Sequence, residues 1–250
     1  MAFNKAMSDV APGIPAPDDE LPHDFDHTHA DVSGGWLRAA TFGAMDGLVS
    51  NTALIAGVAA SASTHTVVLS GVAGLLAGAF SMALGEYTSV TTANEQIDSE
   101  VKVERRAFAA HPKAERAELT KMFVDMGLSK ETAEQATTDI HQDETRAVNF
   151  HLVQELGIDP QEKPSAKVAA ISSFLMFSIG AIIPLLPYLL GFESLPAGLA
   201  FGGVGLVVAG GLAAHFTSRP IWAGSLRQLV FGGLAIAATY LVGHLIGAVL

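Results

Sequence analysis

Long apolar runs separated by short polar stretches set the pattern of this chain. Five runs reach the ~20 apolar residues that a bilayer core requires of a helix. They extend from about Trp36 to Ala60, Val67 to Thr92, Lys167 to Leu190, Leu195 to Phe216 and Leu226 to Leu250. Gly and Ala recur within them, as in GGVGLVVAGG at 202–211, and small residues let membrane helices approach closely. Pro184 and Pro187 in IIPLLPYLL predict a kink in the third run. The pattern predicts an all-α polytopic membrane protein with five transmembrane helices.

Between the second and third runs the pattern becomes amphipathic. Ile97 to Ala110 reads as a short helix continuing from span two and ending near Pro112. Leu119, Met122, Phe123 and Met126 form an i, i+3, i+4, i+7 stripe. Gly127 stands where a helix-ending glycine belongs. Ser129 is placed to cap a further helix, which is predicted to run to Leu156 before Gly157 and Pro160. Residues 95–164 are therefore expected to form a three-helix subdomain. The resulting organisation is a tail at 1–35, spans one and two at 36–94, this subdomain at 95–164, and spans three to five at 165–250.

Charge sharpens the picture. Only 16% of residues are charged, against about 25% in soluble domains. The net charge of −11 is concentrated outside the spans. Such acidic regions repel nucleic acid and attract cations, so no nucleic-acid partner is expected. All fourteen Lys and Arg lie on, or at helix ends bordering, the side that would hold the tail, 93–166 and 217–225. The Lys/Arg excess marks cytoplasmic loops. It predicts a cytoplasmic tail and subdomain and an external C-terminus, and it suits a bacterial inner membrane, with an organelle membrane as the alternative. The tail has no basic start or apolar middle, so it is not expected to be a secretory signal.

The absence of cysteine removes disulfides and thiolate metal sites. Two carboxylates stand inside spans, Asp46 in MDGLVSN and Glu86 in SMALGE. Each is expensive there, and intramembrane ionisable residues mark ion pathways by default. Asn51 follows Asp46, and Met82 lies one turn before Glu86. Oxygen donors with one thioether suit Fe2+ or Mn2+. A bland alternative has the acids solvated near an interface or paired with Arg38.

In the subdomain, Glu100 and Glu104 are i, i+4; Glu115 and Glu118 are i, i+3; His151 and Glu155 are i, i+4. Carboxylates with a histidine are the ingredients of a helix-bundle metal site, and also of a solvated acidic face. His23, Asp24, Asp26, His27, His29 and Asp31 in the tail could gather metal loosely, although an unstructured acidic tail is the simpler reading. His215 and His244 fit helix packing better than proton shuttling. No nucleophile elbow, phosphate loop or His-Glu-x-x-His motif occurs, so no enzyme activity is expected.

The segments GGWLRAATFGAMDGLVSNTALIAGV (34–58) and GLLAGAFSMALGEYTSVTTANE (74–95) resemble the first two spans of the vacuolar iron transporter (VIT) family. The resemblance continues through 103–129, 151–160 and 177–190. It implies a five-span protomer that dimerises around a translocation path. It implies export of Fe2+ or Mn2+ from the cytosol in exchange for protons, with Zn2+ or Co2+ as other occupants of the cytoplasmic site and no tightly bound cofactor. Asp46 and Met82 would line the path, with Glu86 near its mouth. A Glu-x-x-Glu, gap, Glu-x-x-Glu pattern falls on Glu104, Ala107, Glu115 and Glu118, and Glu155 matches a further family glutamate. Ala107 departs from that pattern, and His151 stands where the resemblance implies a methionine. Both departures bear on metal number and affinity. A membrane-anchored metal buffer or sensor without transport, or an ion channel of similar architecture, would use the same features differently.

Overall fold

In a computed structural model of the chain, the described residues are 35–249, with side chains described to Gly247. The tail's His23, Asp24, Asp26, His27, His29 and Asp31 lie outside them. Every regular element among the described residues is helical. These are α1 (Trp36–Ala59), α2 (Thr64–Ala110), α3 (Pro112–Asp125), α4 (Lys130–Ile140), α5 (Glu144–Leu156), α6 (Ala166–Ile182), α7 (Leu186–Leu189), α8 (Leu195–Phe216) and α9 (Ile221–Val249). Five stretches are long and apolar enough to cross a membrane: Trp36–Ala59, Thr64–Ala110, Ala166–Leu189, Leu195–Phe216 and Ile221–Gly247. The fifth begins earlier than its hydropathy suggests, because the helix continues back from Arg227 through Trp222.

Serine caps fix two of the starts. The Ser63 and Ser165 side chains accept from the amides of Thr66 and Val168, satisfying orphan N–H groups at α2 and α6. The predicted kink is present. After α6 the chain makes a 3-10 turn at Ile183–Leu185 and a single short turn, α7. Pro184 has no amide hydrogen to continue the α-helical ladder.

α1 sits at the centre, touching α2, α6, α8 and α9. Its contact with α6 is backbone against backbone. A Cβ on Gly180 would lie 2.2 Å from the Ala44 carbonyl, and one on Gly47 would lie 2.2 Å from that of Phe177. Gly210 of α8 and Gly224 of α9 face each other in the same way. The reverse faces are apolar and exposed. Leu69, Leu76, Phe80 and Leu84 form one such stripe on α2, as lipid-facing or protein-covered surface requires. Gly180→Ala should therefore separate α1 from α6. The expected loss is about 1–3 kcal/mol from overpacking, read as a lower unfolding midpoint in detergent, whereas Gly203→Ala, which meets no atom within 4 Å, should be neutral.

α2 is one unbroken helix of 47 residues. At 1.5 Å per residue it spans roughly 70 Å, more than twice a ~30 Å hydrocarbon core. Its charged far half therefore projects beyond the membrane and becomes part of the helical domain. There Phe108 packs on Ala147, Val148 and Leu152 of α5, while Leu119 and Phe123 of α3 pack on Ala133 of α4. Gly127 (φ +103°) and Gly157 (φ +66°) end α3 and α5 in the left-handed conformation. Ser129 caps α4 as expected, accepting from the Thr132 amide.

The single helix expected from Ser129 to Leu156 is two helices, α4 and α5, broken at residues 141–143. Asp143 caps α5 by accepting from the Arg146 amide, and Arg146 donates to the Asp139 and Ile140 carbonyls at the end of α4. One side chain closes one helix and the other opens the next. The domain thus comprises the far end of α2 and three further helices. The return to the membrane runs alongside α2, where Asn94 donates to the Pro164 carbonyl at 3.0 Å and Lys163 pairs with Asp98.

Candidate functional site

Two polar constellations stand out, one within the spans and one in the domain, both built partly on α2. Within the spans, Asp46, Ser50 and Asn51 on α1 face Ser81 and Met82 on α2. Together with Phe177 of α6 they line a cavity of about 290 Å³. Gly74 and Gly78 make room for it. A Cβ on Gly78 would meet the Phe177 ring at 2.1 Å. Asn51 is 2% exposed. Its amide donates to the Ala181 carbonyl at 2.6 Å, beside the proline break where the regular ladder is interrupted. Its Oδ1 has no partner and remains available to a ligand. The ion pairs among the described residues do not include Asp46. A carboxylate, an amide oxygen and a thioether thus converge on one cavity.

Glu86 is placed differently. It lies one turn beyond Met82 on α2, is buried, and pairs with Arg38 of α1 at 3.0 Å. It does not line the cavity. Of the four residues expected in the path, Asp46, Asn51 and Met82 come together, and Glu86 stands between them and the domain.

In the domain, His151 of α5 is completely buried. Its Nδ1 lies 3.0 Å from Glu155 Oε1, 3.4 Å from Glu104 Oε1 and 3.6 Å from Glu115 Oε2. One ligand atom each from Glu104, Glu115 and His151 lies within 4.8 Å of the other two. Small adjustments would place all of them about 2.0–2.2 Å from one divalent ion. Glu104 Oε1 and His151 Nε2 are buried without hydrogen-bond partners, which is costly unless a ligand is to be met.

The electrostatics agree. Glu104 is pushed up to about 7, first by burial and then by the charges of Glu155, Glu115 and Glu118. Glu115 is raised as well, by burial most of all, although His151 opposes the shift. Crowded carboxylates whose charged forms are disfavoured by burial and by one another make a set that a cation would relieve. Glu118 is exposed and contributes charge without joining the close group; Glu100 lies a turn before Glu104, outside it.

Four neighbours escaped sequence reasoning. Ser50, Ser81 and Phe177 line the cavity. Their spacing from Asp46 and Met82 carried a usable signal for the serines, but Phe177 depends on how α6 packs. His141 stacks on Phe108 at 5.3 Å and meets the His151 ring edge-on. Burial lowers its proton affinity. It was hidden inside a helix expected to be continuous. His244 stacks on Tyr240.

Comparison with known proteins bears on both sites. A model of the VIT family matches residues 37–244. The chain is 33% identical to a vacuolar iron transporter of Acanthamoeba castellanii over 85% of its length and 79% of the relative's. It is 35% identical to vacuolar iron transporter homolog 3 of Arabidopsis thaliana, covering 85% and 84% respectively. It is 29% identical to vacuolar iron transporter 1 of Oryza sativa subsp. japonica, covering 91% and 93%. These relatives are eukaryotic and named for the vacuole, which overturns the expected bacterial inner membrane and the cytoplasmic and external sides assigned with it. The Lys/Arg bias separates two faces of the protein, but neither the organism nor the compartments that those faces meet can be read from it.

Proposed function

The chain belongs to the VIT family, and from that premise we propose that it carries divalent iron across a membrane in exchange for protons. Mn2+ is a second substrate of the same site, since both ions accept the same donors. The observation that carries this reading is the convergence of Asp46, Asn51 and Met82 on one cavity within the spans. The names of the relatives support iron as the cargo.

In this reading Glu104, Glu115, His151 and Glu155 collect the ion at the domain. It then passes along α2 by way of Glu86 to Met82 and Asp46. Asp46 supplies charge, Met82 a polarisable donor, and Asn51 a neutral oxygen. Protons arriving from the opposite face compete for the same carboxylate oxygens and drive release. A second copy of the chain closes the open side of the cavity, making a homodimer the working unit.

The test is flux in sealed proteoliposomes. Fe2+ or Mn2+ movement that follows an imposed pH gradient supports the proposal; no movement with either gradient polarity defeats it. The buried domain cluster on its own would suit a membrane-anchored metal buffer. That second reading predicts metal binding without flux, and it makes Glu104, not Asp46, the indispensable residue.

A further inference from the structure

The Arg38–Glu86 pair is unequal. Glu86 is held between helices with its side chain 10% exposed, whereas the Arg38 side chain is 66% exposed. The acid is fixed and the base is retractable. Arg38 lies in the first turn of α1, at the end of a span, where a long side chain can swing its charged head into water at little cost. Leaving Glu86 unpaired would be far more costly, because it is a buried charge.

The position gives this asymmetry a consequence. Along α2 the order is Glu104 in the domain, then Glu86, then Met82 in the cavity. A cation travelling along that helix meets Glu86 first within the spans, and it can bind there only by displacing the guanidinium. A monovalent ion brings the same charge that leaves. It gains nothing in Coulomb energy and loses the directional, charge-assisted hydrogen bond. A divalent ion doubles the attraction to the carboxylate.

Resting on the transport reading, we propose that Arg38 is a displaceable counter-ion, a positioning residue that filters cations by charge at the mouth of the path. It neutralises Glu86 between transport events, so that Na+ and K+ find no free carboxylate. It yields to a divalent ion and returns behind it.

The experiment uses the full chain in proteoliposomes with Mn2+ as the probe, in K+-rich and K+-free buffer. In wild type, KM for Mn2+ is the same in both. In Arg38→Gln, KM in K+-free buffer falls about fivefold, the factor for losing an ion pair with one exposed partner, and K+ becomes a competitive inhibitor. Arg38→Lys keeps the charge and stays indifferent to K+. An Arg38→Gln protein with wild-type KM in both buffers overturns the proposal. If that variant does not fold, Arg38→Ala decides by the same two readouts: a lower KM in K+-free buffer and competitive inhibition by K+ support the proposal, and a wild-type KM in both buffers overturns it. A wild-type protein with no Mn2+ flux in either buffer defeats the transport reading itself.

Discussion

Asp46→Ala is expected to abolish metal flux while leaving metal binding by the domain intact. Among the described residues Asp46 is the one carboxylate lining the span cavity, and the ion pairs among them leave it unneutralised. Loss of a group that merely orients a metal ligand costs about 10–100-fold, so loss of the direct charge should cost about 100-fold or more in flux. Asp46→Asn keeps the shape and removes the charge, and should fail equally; Asp46→Glu should recover part of the rate. Titration with Mn2+ should meanwhile find the domain unchanged, because Asp46 and Glu104 sit on different helices, and from Met82 to Glu104 alone α2 rises roughly 33 Å. Flux from Asp46→Ala within twofold of wild type would place the path elsewhere.

The spans were legible because lipid imposes a strict rule. A run that must hide every backbone polar group among apolar side chains announces itself by length alone. The intramembrane Asp46 was legible for the same reason, as an exception that packing does not explain. The break at 141–143 was less visible. Thr137 to Phe150 contains no Gly or Pro, and the helix change depends on Asp143 capping forward while Arg146 reaches back. Asp143 followed by Glu144 in the first turn was a signal in plain view, but no glycine or proline beside it marked the break.

The domain cluster shows the other limit. Spacing put Glu104, Glu115, His151 and Glu155 on helix faces, and left a metal set and a solvated face equally open. Only tertiary packing turns those faces together, with Phe108 against α5 setting the depth of His151. The same packing leaves Glu118 exposed and Glu100 outside the group. Glu86 divides the two cases. Its burial could be anticipated from its place in a span, and Arg38 was its foreseeable partner, but the unequal exposure of that pair exists only in three dimensions.

The domain's affinity for metal should depend steeply on pH. Glu104 titrates near 7 in the folded protein, against 4.5 ordinarily. Its proton is therefore held more tightly in the folded state than in the unfolded one. Below pH 4.5 the group is neutral in both states and carries no penalty. Between 4.5 and 7 the unfolded chain ionises first, so the metal-free protein loses stability as pH rises, levelling off above 7. A divalent ion reverses this, because it requires the ionised carboxylate. Below pH 7 each bound ion must expel the Glu104 proton, and affinity should rise about tenfold per pH unit before flattening. Glu104→Gln should cost about 100-fold in affinity at pH 7.5, flatten the pH profile by one proton, and remove the loss of metal-free stability between pH 5 and 7. Calorimetry in buffers of differing ionisation enthalpy counts the released protons directly. Equal wild-type affinity at pH 6 and 7.5, with no proton released, would mean that the ion binds somewhere other than these crowded carboxylates.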